Sequence, residues 1–178
     1  MRPQNFKVGL IDLMSVIDRY NLVFVEIGCY RGESTEIFLE SGKIKKMYCI
    51  DPWLNFYDIN DHASLSNMDS VMNDFDHRIV NKWPCVEKHR GTIESFIISN
   101  LNTPLDIDII YIDANHTYDS CKNDIMKSLY YIKPKYAICG HDYAPCFGVF
   151  NAVNDIFTKP DMTFIDSSWL KFTDKCFI

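Results

Sequence analysis

The sequence predicts an α/β domain built on a mostly parallel, doubly wound sheet of seven strands, closed by an antiparallel C-terminal hairpin. Three observations carry this. Short strand-like runs at 23–27, 46–50, 107–112 and 136–139 recur along the chain, and near-continuous apolar runs suit strands buried on both faces. Segments with helical spacing separate them. Two last runs, 162–165 and 169–172, are joined by Asp166-Ser167-Ser168, which suits a hairpin. Alternating strands and helices imply parallel pairing with both faces covered, and right-handed crossovers then wind the sheet doubly.

The elements follow in order. Residues 6–20 carry Leu10, Leu13, Met14 and Ile17 at helical spacing. Residues 23–27 form the first strand, apolar but for Glu26. Residues 34–41 read as a helix that ends near Gly42. Residues 46–50 form the second strand, stopped by Asp51-Pro52. Residues 53–67 are polar and aromatic without a period, so they read as a loop, with a lid over the site as one expectation and disorder as the other. Residues 69–80 read as a helix, 84–89 as a weaker third strand and 93–100 as a short helix. The fourth strand, 107–112, is strongly apolar. Residues 120–132 form a helix with Ile125, Met126, Leu129 and Tyr130 inward. The fifth strand is 136–139, and a helix at 150–157 precedes the hairpin.

Composition narrows the function. The 178 residues suit a single domain with a sizeable core. The formal net charge is −6, so nothing favours phosphate backbones globally and nucleic acid is a poor partner. No apolar run approaches the ~20 residues of a membrane span, and the N-terminus has no signal-peptide pattern. Seven cysteines include no C-x-x-C pair. They read as reduced packing residues, and the expected location is cytoplasmic.

The most informative segment is Val23-Phe24-Val25-Glu26-Ile27-Gly28-Cys29-Tyr30-Arg31-Gly32-Glu33-Ser34-Thr35. A strand ends in an acid, meets two glycines four apart, and opens into helix-forming sequence. That is how an α/β fold builds a nucleotide site. Asp51, at the end of the next strand, can accept two ribose hydroxyls, or serve as a turn acid before Pro52. A dinucleotide fingerprint needs glycine at position 30, where Tyr30 stands, so a pyrophosphate cradle is disfavoured.

Later segments add Ile112-Asp113-Ala114-Asn115-His116-Thr117-Tyr118, Lys133-Pro134, Gly140-His141-Asp142-Tyr143, and Gly148-Val149 followed by Ala152-Val153. In this order the chain resembles the class I S-adenosylmethionine-dependent methyltransferases. Within them it resembles the small-molecule family with I-D-G-D-H-x-Y and G-H-D-Y motifs, the methyltransferase domain 24 type. The likeness runs from about Val23 to Phe172. Two positions depart: Asn115 replaces the usual second acid, and Lys135 replaces the usual glycine after Lys-Pro.

The resemblance implies a Rossmann-like fold and S-adenosylmethionine as cofactor. It assigns cofactor contacts to Glu26, Gly28, Cys29, Tyr30, Gly32, Ser34, Asp51, Pro52, Trp53, Gly91, Thr92 and Asp113. Glu26 would orient the glycine loop or meet the amino-acid end of the cofactor, and otherwise caps nearby amides. Trp53 would pack on adenine or acceptor, and otherwise in the core. Gly91-Thr92 would meet the adenine edge, and otherwise forms a turn and helix cap.

The fourth and fifth strands of a parallel sheet are neighbours, so Asp113, His116, His141 and Asp142 converge at the crevice. Similar D-x-x-H sequences in magnesium-dependent sugar O-methyltransferases imply Asp113, His141 and Asp142 around magnesium or manganese, with His116 as base. The catalytic set is then His116, Asp113 and His141, and otherwise these residues form a hydrogen-bonded polar cluster that only shapes the loops. Because magnesium prefers oxygen donors, His141 weakens the metal reading or shifts it to a softer ion.

The expected reaction is O-methylation of a small molecule by a monomer or homodimer. The rivals are a non-catalytic S-adenosylmethionine-binding protein, a nicotinamide oxidoreductase, which Tyr30 argues against, and a nucleic-acid enzyme. The net charge and the lack of an N/D-P-P-Y/F/W motif argue against the last.

Overall fold

The computed structural model describes residues 4–58, 61–103 and 105–175. Its sheet has seven strands: β1 (Leu22–Ile27), β2 (Ile44–Asp51), β3 (Val86–Arg90), β4 (Ile109–Ile112), β5 (Ala137–Gly140), β6 (Met162–Thr163) and β7 (Trp169–Phe172). The spatial order is β3-β2-β1-β4-β5-β7-β6. The first five pair in parallel, while β7 runs antiparallel to both β5 and β6. This is the expected doubly wound sheet with its C-terminal hairpin. β6 is only two residues, both exposed, so the hairpin is shorter than expected.

Alternation along β1 explains the layering. Phe24 faces one core and Val25 and Ile27 the other. The first core takes α1 (Gln4–Ser15), α2 (Glu33–Glu40) and α3 (Met68–Phe75). The second takes α4 (Ile93–Ser99), α5 (Tyr118–Lys127) and α6 (Gly148–Phe157). α3 and α5 each run on into a wider π turn, Asp76–Val80 and Ser128–Ile132. The central strands β1, β4 and β5 are buried on both faces, which is why their sequences read as apolar runs, whereas the edge strand β3 is only partly buried.

Two helix expectations need correction. α1 ends at Ser15 and not near Tyr20. The Lys43 ammonium donates to the Met14 and Ile17 carbonyls at 2.7 and 2.6 Å, capping carbonyls that a longer helix would have used. Along α5 and its π turn, Met126 and Tyr130 are exposed, and the buried stripe is Cys121, Asp124, Ile125, Ser128 and Ile132. Two polar residues occupy core positions there, so counting apolar side chains misplaces the face.

Lys135 has an ordinary φ, and its N–H donates to the Ile107 carbonyl at 3.0 Å, so that turn needs no glycine. Among the described residues no cysteine is bridged: Cys29, Cys49, Cys121 and Cys139 are buried, Cys85 is half-buried and Cys146 is exposed. Cys176 lies outside the described residues. No described helix is long and apolar enough to cross a membrane.

Candidate active site

The carboxyl ends of β1, β2, β4 and β5 border a cleft of about 530 Å³. Leu54, Tyr57, Asp58, Asp61, Ala63 and Ser64 wall it from the segment between β2 and α3. Part of that segment is ordered by a 3-10 turn, His62–Leu65, capped by the Asp61 carboxylate. His62 itself is exposed. At the strand ends Tyr30, Trp53 and Asp142 hold left-handed φ values of 48°, 41° and 57°, a conformation that folds retain where the surroundings over-determine it, often at functional sites.

The turn after β1 is fixed by its neighbours. Gly28 has φ 89°, and a Cβ there would lie 2.0 Å from the Asp113 carbonyl oxygen. Gly32 has φ 79°, and its Cβ would meet Ile79 at 2.5 Å. Gly28 lines the cleft, whereas the space at Gly32 is filled by the α3 extension. Both glycines are dictated by φ and close approach.

Asp51 clamps this turn. One carboxylate oxygen accepts the Cys29 and Tyr30 N–H groups at 2.9 Å each, and the other accepts the Trp53 N–H at 2.7 Å. Burial raises its pKa and the three amides oppose that rise. It still borders the cleft, and a carboxylate offers about four acceptor sites. Glu26 is fully buried and accepts the Ser34 and Thr35 hydroxyls at 2.5 Å each, tying β1 to α2. Both hydroxyls lie in the first turn of α2, just past the glycine loop.

Several expected contact residues do not line the cleft. Trp53 is 1% exposed, tilted against Phe75, with its indole N–H on the Tyr30 carbonyl at 2.9 Å. Its ring belongs to the core and cannot stack on a ligand. Ser34 turns its hydroxyl inward to Glu26, and the Cys29 side chain is buried. Thr92 caps α4, and the Gly91 N–H donates to the Asp51 carbonyl at 2.9 Å. Tyr30, Asp51 and Pro52 do line the cleft.

Across the cleft stands a polar cluster. His116 Nε2 lies 3.0 Å from Asp142 and 3.5 Å from Asp113, and its Nδ1 lies 3.3 Å from Asp58. Burial alone would lower the His116 pKa. Hydrogen bonds and charge from Asp113 and Asp142 outweigh it and push the value up to about 11. Those two carboxylates favour the protonated ring, so a proton leaves it less readily than from an ordinary imidazole. Burial pulls the Asp142 pKa up, but the His116 and His141 hydrogen bonds win and hold it well below the usual range.

Asp113, His141 and Asp142 each offer a donor atom within 4.8 Å of the others. His141 Nδ1 is 3.2 Å from Asp142. Its Nε2 is buried without a hydrogen bond, 3.7 Å from Asp166 in the β6–β7 turn. Two carboxylates and one imidazole fit a divalent cation with mixed N and O donors.

Sequence reasoning did not single out Asp58, Arg31 or Asp166 as site residues. Asp58 sits in an aperiodic segment, and nothing in its local sequence signals that it folds back onto His116.

A family model described as Methyltransferase domain, of the type numbered 24, matches residues 25–143. No curated protein matches the chain by sequence. Among solved structures, the S-adenosylmethionine complex of the O-methyltransferase TomG, involved in tomaymycin synthesis in Streptomyces achromogenes, is similar. It has 13% identity and a TM-score of 0.59, over 96% of this chain and 78% of that one. The S-adenosylhomocysteine-bound methyltransferase PaMTH1 of Podospora anserina has 14% identity and a TM-score of 0.55 over 79% of this chain. The chain spans about half of that protein, 53%. A chain from Pyrococcus horikoshii described as a candidate RNA methyltransferase has 14% identity and a TM-score of 0.54, over 88% and 68%. At such identities these structures share the fold. The family match covers two thirds of the chain and spans every strand from the glycine turn to the second acid. The chain therefore belongs to this methyltransferase domain family, within the class I S-adenosylmethionine-dependent methyltransferases.

Proposed function

We propose that the protein transfers a methyl group from S-adenosylmethionine to a hydroxyl of a small, neutral or cationic acceptor. One observation carries this: the glycine turn clamped by Asp51 and the cluster of Asp113, His116 and Asp142 open into the same cleft. S-adenosylmethionine supplies an activated methyl. Gly28, Tyr30 and Pro52 would bound its binding side, and the remaining acceptor sites on Asp51 would take ribose hydroxyls. Positioning for in-line attack supplies much of the rate.

Asp113, Asp142 and His141 would hold a divalent cation, which lowers the pKa of an oxygen bound to it. His116 then stands beside the acceptor oxygen. As a base it must lose its proton first, and a cation drawing on Asp113 and Asp142 weakens the two contacts that keep that proton in place.

The charge of the cleft favours this acceptor class. Glu33, Asp51, Asp58, Asp61, Asp113 and Asp142 line it, and the facing basic groups are Arg31, itself paired with Asp74, and the rings of His116 and His141, so carboxylates outnumber them. Such a field repels phosphate and attracts cations. An RNA acceptor needs the opposite. The free thiols of Cys29, Cys49, Cys121 and Cys139 suit a reducing compartment such as the cytoplasm. Radiolabelled S-adenosylmethionine offered with hydroxylated small molecules, with and without manganese, tests the proposal. Label transfer to a hydroxyl supports it, and transfer only to RNA overturns it.

A further inference from the structure

We propose that Asp58 is a positioning residue for His116, and that the Asn115 amide is what anchors it there. The inference rests on the active-site reading above.

Asn115 is the position where this chain departs from the family acid, and its geometry uses both ends of an amide. Its Nδ2 donates to the Tyr57 carbonyl at 3.2 Å, on the segment that walls the cleft. Its Oδ1 accepts the Thr117 N–H at 3.0 Å and the Thr117 hydroxyl at 2.7 Å. A carboxylate at 115 keeps the second pair and loses the first, because it has no proton to donate. It would also set its charge against the Tyr57 carbonyl.

The next residue on each strand of this contact completes it. The His116 N–H donates to Asp58 Oδ2 at 3.1 Å, and His116 Nδ1 lies 3.3 Å from the same oxygen. Asp58 is 6% exposed at its side chain, so water competes little for it. From behind, the start of α6 closes on this loop: a Cβ on Gly148 would lie 2.8 Å from the His116 carbonyl oxygen.

The two ring nitrogens of His116 thus face different partners. Asp58 holds Nδ1, and Asp113 and Asp142 hold Nε2. A ring held at both ends cannot turn its Nε2 edge away from the cluster. Through its bond to the Tyr57 carbonyl, Asn115 brings the next residue, Asp58, against His116.

The test reads the ring and needs no acceptor. Nitrogen-15 spectra of histidine-labelled protein report both ring nitrogens, and the His116→Ala spectrum assigns them among the five histidines. Asp58→Ala is expected to move the His116 Nδ1 resonance toward that of a solvated ring, and Asp58→Asn to move it less. Asn115→Asp is expected to move the same resonance, because the anchor on Tyr57 is lost. Should Asp58→Ala fail to fold, the isosteric Asn variant and Asn115→Asp still decide. An Nδ1 resonance unchanged by the Asp58 substitutions overturns the proposal, and one unchanged by Asn115→Asp overturns the role of the amide. Binding of S-adenosylhomocysteine by the unsubstituted protein is measured separately. Its failure would remove the active-site reading and leave the ring result standing.

Discussion

At the scale of single residues, the site is a set of carboxylates sharing few protons and amides. Asp51 shows how this alters an expected role. It accepts three backbone N–H groups that shape the glycine turn, so its substitution acts on loop and ligand together. Charge-assisted hydrogen bonds are each worth roughly 1.5–3 kcal/mol. Asp51→Ala is therefore expected to weaken S-adenosylhomocysteine binding by about tenfold or more and also to lower the melting temperature. Calorimetry and a thermal melt on the same sample separate the two effects. An unchanged dissociation constant in a folded variant would confine Asp51 to its clamp. His116→Ala should lower methyl transfer by about 10²–10⁴ once an acceptor is in hand, while exposed His62→Ala loses far less. Full turnover in the His116 variant between pH 6 and 8 would exclude it as the base. Asp113, His116 and Asp142 were legible because they follow buried strands at short fixed offsets. The core placement of Trp53 was not, because a tryptophan after a strand end reads the same whether it faces ligand or core.

At the scale of elements, α5 carries a buried acid that the cluster does not use. Asp124 is 7% exposed, and burial pushes its pKa up to about 7. For an acid raised on folding, stability is fully present below the unfolded value, near 3.9. It is lost as pH rises through the folded value, because the folded state then holds the extra proton. Asp124→Asn should therefore match the parent near pH 4 and exceed it by up to about 4 kcal/mol at pH 8, read by denaturant unfolding at each pH. Equal stability at pH 8 would mean that the carboxylate finds compensation when charged. The β1–α2 turn makes a sharper demand. Gly28→Ala would place a methyl 2.0 Å from the Asp113 carbonyl at φ 89°, whereas Gly42→Ala has φ 69° but nothing within 4 Å. The first should cost several kcal/mol or abolish folding, and the second about 1–2. Similar losses from both would show that strain alone, not the approach of the β4 loop, sets the cost. α5 also shows where sequence reading runs out. Together with the π turn that follows, its buried stripe includes Asp124 and Ser128, so polarity placed Ile125 and Leu129 correctly but Met126 and Tyr130 on the wrong side, while the central strands, buried on both sides, needed no face to be chosen.

At the scale of the whole molecule, one sheet order explains why distant segments meet. β1 and β4 are neighbours, with β2 and β5 flanking them, so turns beginning at Gly28, Asp51, Asp113 and His141 open on one edge. Strand and helix alternation made the doubly wound, mostly parallel sheet legible and set the fourth and fifth strands side by side, but it did not reveal the order of the other strands. For 53–67 the sequence supports a lid over the site and a disordered loop equally, because the segment has no period to read, and the contact of Asp58 with His116 has no local signal. The central claim is that this edge holds S-adenosylmethionine beside an acidic cluster. Titration calorimetry of the unsubstituted protein with S-adenosylhomocysteine, and with NAD in a parallel run, tests it most directly. Saturable binding of S-adenosylhomocysteine at one site per chain, with no response to NAD, is the expected result. Tight NAD binding with no response to S-adenosylhomocysteine would contradict it.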